Sequence, residues 1–151
     1  MNRDWDSRYM RLAQEVSSWS KDPSSQIGAV AIGDKGQVLS QGYNGFPRGI
    51  HDHIERYTNR EIKYDYIVHA EMNCIYNASY NGISLRDSTI YVYGLPVCSE
   101  CAKAIIQVGA KRVVTNTVNL PEDRWYNSCK KAEDMFLEVG ITYEYLGGLQ
   151  S

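Results

Sequence analysis

No stretch of this sequence approaches the roughly 18 consecutive apolar residues of a membrane helix. The opening residues, Met1-Asn2-Arg3-Asp4-Trp5-Asp6, hold no apolar signal core either. Neither a membrane partner nor a secretory leader is therefore expected, and the chain is expected to work in the cytoplasm. A basic excess is also missing. Sixteen Lys and Arg face 18 Asp and Glu, for a formal net charge of −2 and a pI of about 5.9. Chains that live on polynucleotides usually carry a basic patch, so no polynucleotide partner is expected. A small nucleotide needs only a few local cations and stays compatible. No internal repeat, linker or low-complexity segment is visible. Cysteine is scarce, at four residues. In a reducing compartment a Cys-x-x-Cys pair points to metal or redox chemistry before a structural disulfide.

What is present is ordinary for a globular protein: 151 residues, 43% apolar and 23% charged. That length suits one domain over 1–151, large enough to bury about two thirds of its unfolded surface. Trp5, Tyr9, Leu12, Val16 and Trp19 recur at helical spacing, with Asp4 and Asp6 placed for the helix N-terminus. Residues 26–32 are apolar on both faces and read as a central strand; 37–44 return as its hairpin partner across Asp34-Lys35-Gly36. Periodicity lapses from 45 to about 67, which reads as a long functional loop or an insertion. Helices are then expected at 69–81, 98–108 and 121–139, the last with Trp125, Cys129, Ala132, Phe136 and Val139 on one face. Strands are expected at 89–93, 111–115 and 141–146. Such alternation implies an α/β fold with parallel strands and helices on both faces of the sheet.

Two motifs carry chemistry. His69-Ala70-Glu71 and Cys98-Ser99-Glu100-Cys101 each open an expected helix. The pair supplies three zinc-ligand types, His69, Cys98 and Cys101, with the fourth position of a catalytic zinc left for water. Glu71 is then free to shuttle protons. Helix N-termini favour negative charge, which suits thiolates, and the i, i+3 spacing puts both sulfurs on one side of the first turn. A lone Cys-x-x-Cys is equally a structural zinc or redox pair, and a lone His-Ala-Glu is a helix start with a dipole-stabilising carboxylate. Together they resemble the His-x-Glu plus Pro-Cys-x-x-Cys signature of zinc deaminases. Val97 is an extra residue between Pro96 and Cys98, expected to reshape the pocket wall beside the thiolates. Cys74 and Cys129 sit in helical apolar stripes and read as buried apolar residues, the alternative being a second zinc or a bridge.

Over nearly its whole length the sequence resembles the deoxycytidylate (dCMP) deaminase family. The resemblance rests on the zinc motifs, Ser20-Lys21-Asp22-Pro23-Ser24-Ser25-Gln26-Ile27-Gly28-Ala29, Gly42-Tyr43-Asn44-Gly45-Phe46-Pro47-Arg48-Gly49, Lys63-Tyr64-Asp65-Tyr66 and Cys101-Ala102-Lys103-Ala104-Ile105-Ile106-Gln107. It implies a three-layer α/β/α cytidine-deaminase-like fold with a mixed five-stranded sheet. It also implies a homo-oligomer, commonly a hexamer, and conversion of dCMP to dUMP and ammonia. Regulation is implied by dCTP as activator and dTTP as inhibitor, with magnesium accompanying the triphosphate. Carried over, His69, Cys98 and Cys101 resemble the zinc ligands and Glu71 the proton shuttle. Asn44 resembles the asparagine on the substrate sugar, against an Asx-turn reading. Ala70 resembles a backbone contact to the base. Asn73 is a further candidate for nucleotide contact, against an exposed helical asparagine. Tyr43, Asn44 and Gly45 resemble effector-site residues, with Lys21, Arg48, Arg56 and Arg60 as candidate triphosphate cations or solvated charges. His51 and His53 are either a second zinc pair or solvated.

The alternative reading is a deaminase acting on a base flipped from RNA or DNA, such as a tRNA adenosine or cytidine deaminase, which shares the zinc motifs. One departure from the family concerns the phosphate end. Val118-Asn119-Leu120-Pro121 stands where the family often has a substrate-facing tyrosine, and Arg124-Trp125 is placed to rebuild that wall. The chain is on this ground expected to accept dCTP as well as dCMP. Steady-state kinetics with both nucleotides should then show turnover of each, and dCTP left intact at millimolar concentration dismisses the expectation.

Overall fold

The computed structural model describes residues 3–117 and 124–147. In chain order the elements are α1 (Arg3–Ser17), β1 (Gly28–Ile32), β2 (Val38–Tyr43), α2 (Ile54–Thr58), α3 (Arg60–Tyr66), α4 (Ala70–Tyr80), β3 (Thr89–Tyr93), α5 (Ser99–Gln107), β4 (Arg112–Thr115), α6 (Arg124–Val139) and β5 (Thr142–Tyr145). They form one five-stranded sheet in the order β2-β1-β3-β4-β5. β1 is antiparallel to both neighbours, while β3, β4 and β5 run parallel. Strand–helix alternation is thus obeyed only after β3, and the sheet is mixed, as the family resemblance implies.

The two-residue period of a strand divides the core. From β1, Ala29 and Ala31 join Ile90, Val92 and Val113 on the side packed with α4, α5 and α6. Val30 and Ile32 join Tyr91, Tyr93 and Val114 on the side covered by α1 through Tyr9, Met10, Ala13 and Val16. This is the three-layer arrangement, with β1 buried at every position. Two glycines set how closely helices approach. A Cβ at Gly28 would collide with the α1 backbone at Ala13 and Ser17. One at Gly42 would collide with the α4 backbone at Cys74 and Ala70. The start of α4 is therefore seated on β2 by main-chain contact.

Several elements depart from the sequence-based expectations. α1 ends at Ser17, so Trp19 lies beyond it, and Trp5 and Trp19 are 47% and 46% exposed; Asp6 stands in the first turn as expected but is fully buried. On α6, Cys129, Ala132 and Phe136 are buried but Val139, the last residue of the helix, is 53% exposed. Residues 118–121, and with them the expected start of α6 at Pro121, lie outside the described residues. The stretch 45–67 holds two short helices, α2 and α3. Its ends are tied by paired backbone hydrogen bonds between Gly45 and Val68. Aromatic stacking of Phe46 on Tyr57, 4.2 Å between centroids, replaces the periodic stripe that would have signalled a helix.

Asp6 is buried because β4 answers it. Arg112 donates to both Asp6 oxygens at 2.9 and 2.8 Å and to Glu144 of β5 at 2.6 Å, while the Tyr91 hydroxyl donates to Asp6 at 2.6 Å. Removing one partner of such a buried pair leaves an uncompensated charge, at a cost of about 3–5 kcal/mol. Arg112→Met should therefore lower the unfolding free energy by about that amount in a denaturant titration, whereas a change below about 1 kcal/mol would make the pair a bystander.

Candidate metal centre and cleft

The two motifs meet at the N-termini of neighbouring helices. His69 is the N-cap of α4 and Cys98 the N-cap of α5, yet neither side chain makes a capping hydrogen bond. Both turn instead toward each other. His69 Nδ1 lies 3.5 Å from Cys98 Sγ and 3.4 Å from Cys101 Sγ. Zinc–sulfur bonds of about 2.3 Å and zinc–nitrogen bonds of about 2.0–2.1 Å at tetrahedral angles require a sulfur–nitrogen edge of about 3.5 Å. The three side chains thus already stand at the spacing zinc needs. Among the described residues they are the one group of three or more His, Cys, Asp or Glu side chains whose donor atoms lie within 4.8 Å of one another. A fourth protein ligand is not gathered, which fits an open catalytic position.

Electrostatics agree with a displaced proton. The Cys98 thiol is pulled down to about 4, chiefly by the hydrogen bond it receives from Cys101 and against its own burial. Cys101, holding the shared proton in a buried position, is pushed up. His69 is raised by its hydrogen bond to Cys98, partly offset by burial and reinforced by the charge of Glu71. A dication would take the place of the protons this trio holds. Glu71 is buried and stays outside the donor cluster while lining the same cleft. Burial pushes its carboxyl up to about 7, within reach of proton exchange near neutrality.

The cleft, about 820 Å³ and open to solvent, brings together Asn44, His69, Ala70, Glu71, Cys98 and Trp125. Trp125 tilts over the imidazole, 6.2 Å between centroids. Val97 itself does not line the cleft. Its side chain is fully buried in the core and its N–H donates to the Tyr143 hydroxyl at 3.1 Å, leaving Leu95 and Pro96 to line the cleft. Asn44 is tightly held: its Oδ1 accepts from Ile27 N at 2.9 Å, and its Nδ2 donates to Ser25 O at 2.8 Å and Asp22 Oδ2 at 3.4 Å.

Other candidates fall elsewhere. Asn73 donates to the Tyr43 carbonyl at 2.7 Å, tying α4 to β2 outside the cleft lining. Tyr43 and Gly45 also lie off the cleft; Tyr43 is 39% exposed and meets Trp19 edge-on. Lys21 pairs with Asp52 at 3.0 Å. Arg48 donates to Asn77 and sits over the Tyr80 ring. Arg56 and Arg60 lie over Tyr66 and Tyr64. His51 and His53 stack on each other at 5.2 Å, and no third donor joins them among the described residues. The Arg124 side chain lies outside the described residues. Cys74 and Cys129 are buried, and burial pushes their thiols up to about 12 and about 11, as fits small apolar residues. Cys129 also lines the cleft, as do Asp22, Lys63 and Tyr64. The sequence reading assigned none of these four a place there. A lone aspartate and a lone lysine in irregular segments give no spacing signal.

A model of the cytidine and deoxycytidylate deaminase zinc-binding region matches residues 3–117. The chain belongs to this deaminase family. A protein of Aliivibrio fischeri described as an uncharacterized deaminase in the luxG 3′ region is 38% identical over 145 residues, covering 94% of this chain and 93% of its own. The deoxycytidylate deaminase of Homo sapiens is 33% identical over 147 residues, covering 93% and 78%. Among solved structures, the dCMP deaminase of cyanophage S-TIM5 in complex with dCMP and dUMP matches with a TM-score of 0.76 at 24% identity, over 97% of this chain and 99% of that one; this likeness is one of fold. The chain is accordingly a hydrolytic deaminase. Purified deaminase should carry about one zinc per chain by elemental analysis and lose it in Cys101→Ala. Because His69 and Cys101 hold protons more firmly than usual, protons compete with the metal for both, and the affinity for zinc should fall steadily as the pH is lowered. Zinc retained unchanged in that variant would remove Cys101 from the ligand set.

Proposed function

We propose that this deaminase converts dCMP and water to dUMP and ammonia, with His69, Cys98 and Cys101 holding one zinc and Glu71 moving the protons. The observation that carries the reading is the placement of a buried, elevated carboxyl beside, but not within, a His-Cys-Cys cluster. When bound, zinc supplies a water acidic enough to lose a proton near neutral pH. Glu71 takes that proton on its carboxylate, delivers it to N3 of the cytosine ring, and later transfers one to the departing amine. The backbone at Ala70, buried against the cleft, contacts the base edge, and Asn44 holds the sugar hydroxyl. The name of the human relative supports dCMP as substrate; dCTP is proposed as a further one from the sequence around 118–125 alone. The dUMP formed from dCMP supplies thymidylate synthesis.

Regulation by dCTP and dTTP, with magnesium on the triphosphate, belongs to the same reading, as does assembly into a homohexamer or another homo-oligomer. Support comes from the exposed Tyr43 ring next to the buried Asn44-Gly45 turn, and from Arg48, Arg56 and Arg60 on the neighbouring insert and its flank. The net charge of −2 supports a free nucleotide over a polynucleotide substrate. Deamination of dCMP, followed with and without dCTP and dTTP, tests the proposal directly. Glu71→Gln should keep its zinc and fold yet lose about 10²–10⁴ in kcat/KM. A wild-type rate in that variant would refute the mechanism.

A further inference from the structure

Helix α3 lies on the surface and buries none of its residues. Its firmest hold on the body is Lys63, whose side chain is only 12% exposed and whose Nζ lies 2.7 Å from Asp22 Oδ2. Lys63 also donates to Ser24 Oγ at 2.9 Å. Asp22 is almost completely buried at the cleft, and its Oδ1 accepts from Ser24 N and Ser24 Oγ, both at 2.9 Å, and from Ser25 N at 3.4 Å. Burial opposes this charge, but Lys63 and the serine donors outweigh it, so the carboxyl stays below its ordinary range. The same loop grips the substrate-sugar candidate: Ser25 O and Asp22 Oδ2 receive the Asn44 amide, and Ser20 Oγ donates to the Asn44 carbonyl at 2.8 Å. Among the described residues lining the cleft, Lys63 is the one lysine or arginine, and its charge is spent on Asp22.

We propose that the Lys63–Asp22 pair is a latch joining the 46–67 insert to the cleft, and that by fixing the 20–27 loop it orients Asn44 toward the sugar of the nucleotide. Lys63 and Asp22 are positioning residues in this scheme and do not touch the reacting atoms. The sugar-facing role of Asn44 rests on the dCMP reading; the latch itself does not. The insert meets the 20–27 loop through two ion pairs, the exposed Lys21–Asp52 and the buried Lys63–Asp22, and through the buried one a change in its own position can reach the sugar end of the cleft. Loss of the pair therefore weakens nucleotide binding and leaves the chemical step alone.

Lys63→Met keeps the aliphatic stem and removes the charge. In the full-length, zinc-loaded protein it should raise KM for dCMP about tenfold with kcat within about twofold, the pattern of lost uniform binding. Lys63→Arg should restore KM, since a guanidinium reaches the same carboxylate. Combining Lys63→Met with Asn44→Ala should give the KM of Asn44→Ala alone, because both act through one side chain. Hydrogen exchange read independently of turnover should show faster exchange across residues 54–66 in Lys63→Met and normal exchange in Lys63→Arg. Unchanged exchange, additive KM effects, or a fall in kcat with KM unmoved would each overturn the proposal. A wild-type protein inert to dCMP that still shows the exchange difference would sink the substrate reading while upholding the latch.

Discussion

The geometry of the site follows from two helix N-termini that face each other with their caps withheld. His69 and Cys98 occupy cap positions without capping their own helices, and the first amide of α5, Ser99 N, donates instead to Ser128 Oγ at 2.9 Å. The electropositive ends of both helices are thereby directed at the space the imidazole and the two sulfurs enclose. Capping would have been worth about 1 kcal/mol at each helix. That stability is forgone in favour of a cluster whose spacing suits a dication before any ion arrives, so little reorganisation accompanies metal entry.

Much of this arrangement was legible in the sequence, and the limits have physical causes. The ligand set could be read because chemistry demands fixed residue types at fixed offsets, and the structure gathers those residues. Strand β3 and the helices carrying the motifs were legible because their periodicity is strong and their neighbours are breakers. Trp5 and Trp19 misled because a tryptophan at the edge of a stripe is apolar whether or not anything covers it. Asp6 stands in the first turn of α1 as expected, but its burial was not legible. A carboxylate near a helix start reads as a dipole partner, and only the tertiary fold, which brings Arg112 from 106 residues away, makes it an interior group. Helices α2 and α3 escaped notice because they are too short to show a stripe and are held by ring stacking and an ion pair.

Two buried aspartates divide the labour. Asp6, with Arg112 and Tyr91, clamps α1 to the strands far from the cleft, and its satisfaction is a matter of folding. Asp22, with Lys63 and the backbone of Ser24 and Ser25, sits where the insert meets the cleft, and its satisfaction is a matter of ligand geometry. Each meets the same electrostatic requirement, that a carboxylate out of water must be answered by a cation and several donors.

Gly42 has a consequence for how such a protein can change over generations. Main chain rests on main chain where β2 meets the start of α4, so no side chain there can swell, shrink or switch rotamer and shift the histidine at the helix tip. Substitutions in the aliphatic interior that spare this seat leave the histidine end of α4 anchored on β2, whereas the sulfurs of α5 are held by side chains of that interior. One ligand of the three thus has an inheritance separate from that of the other two.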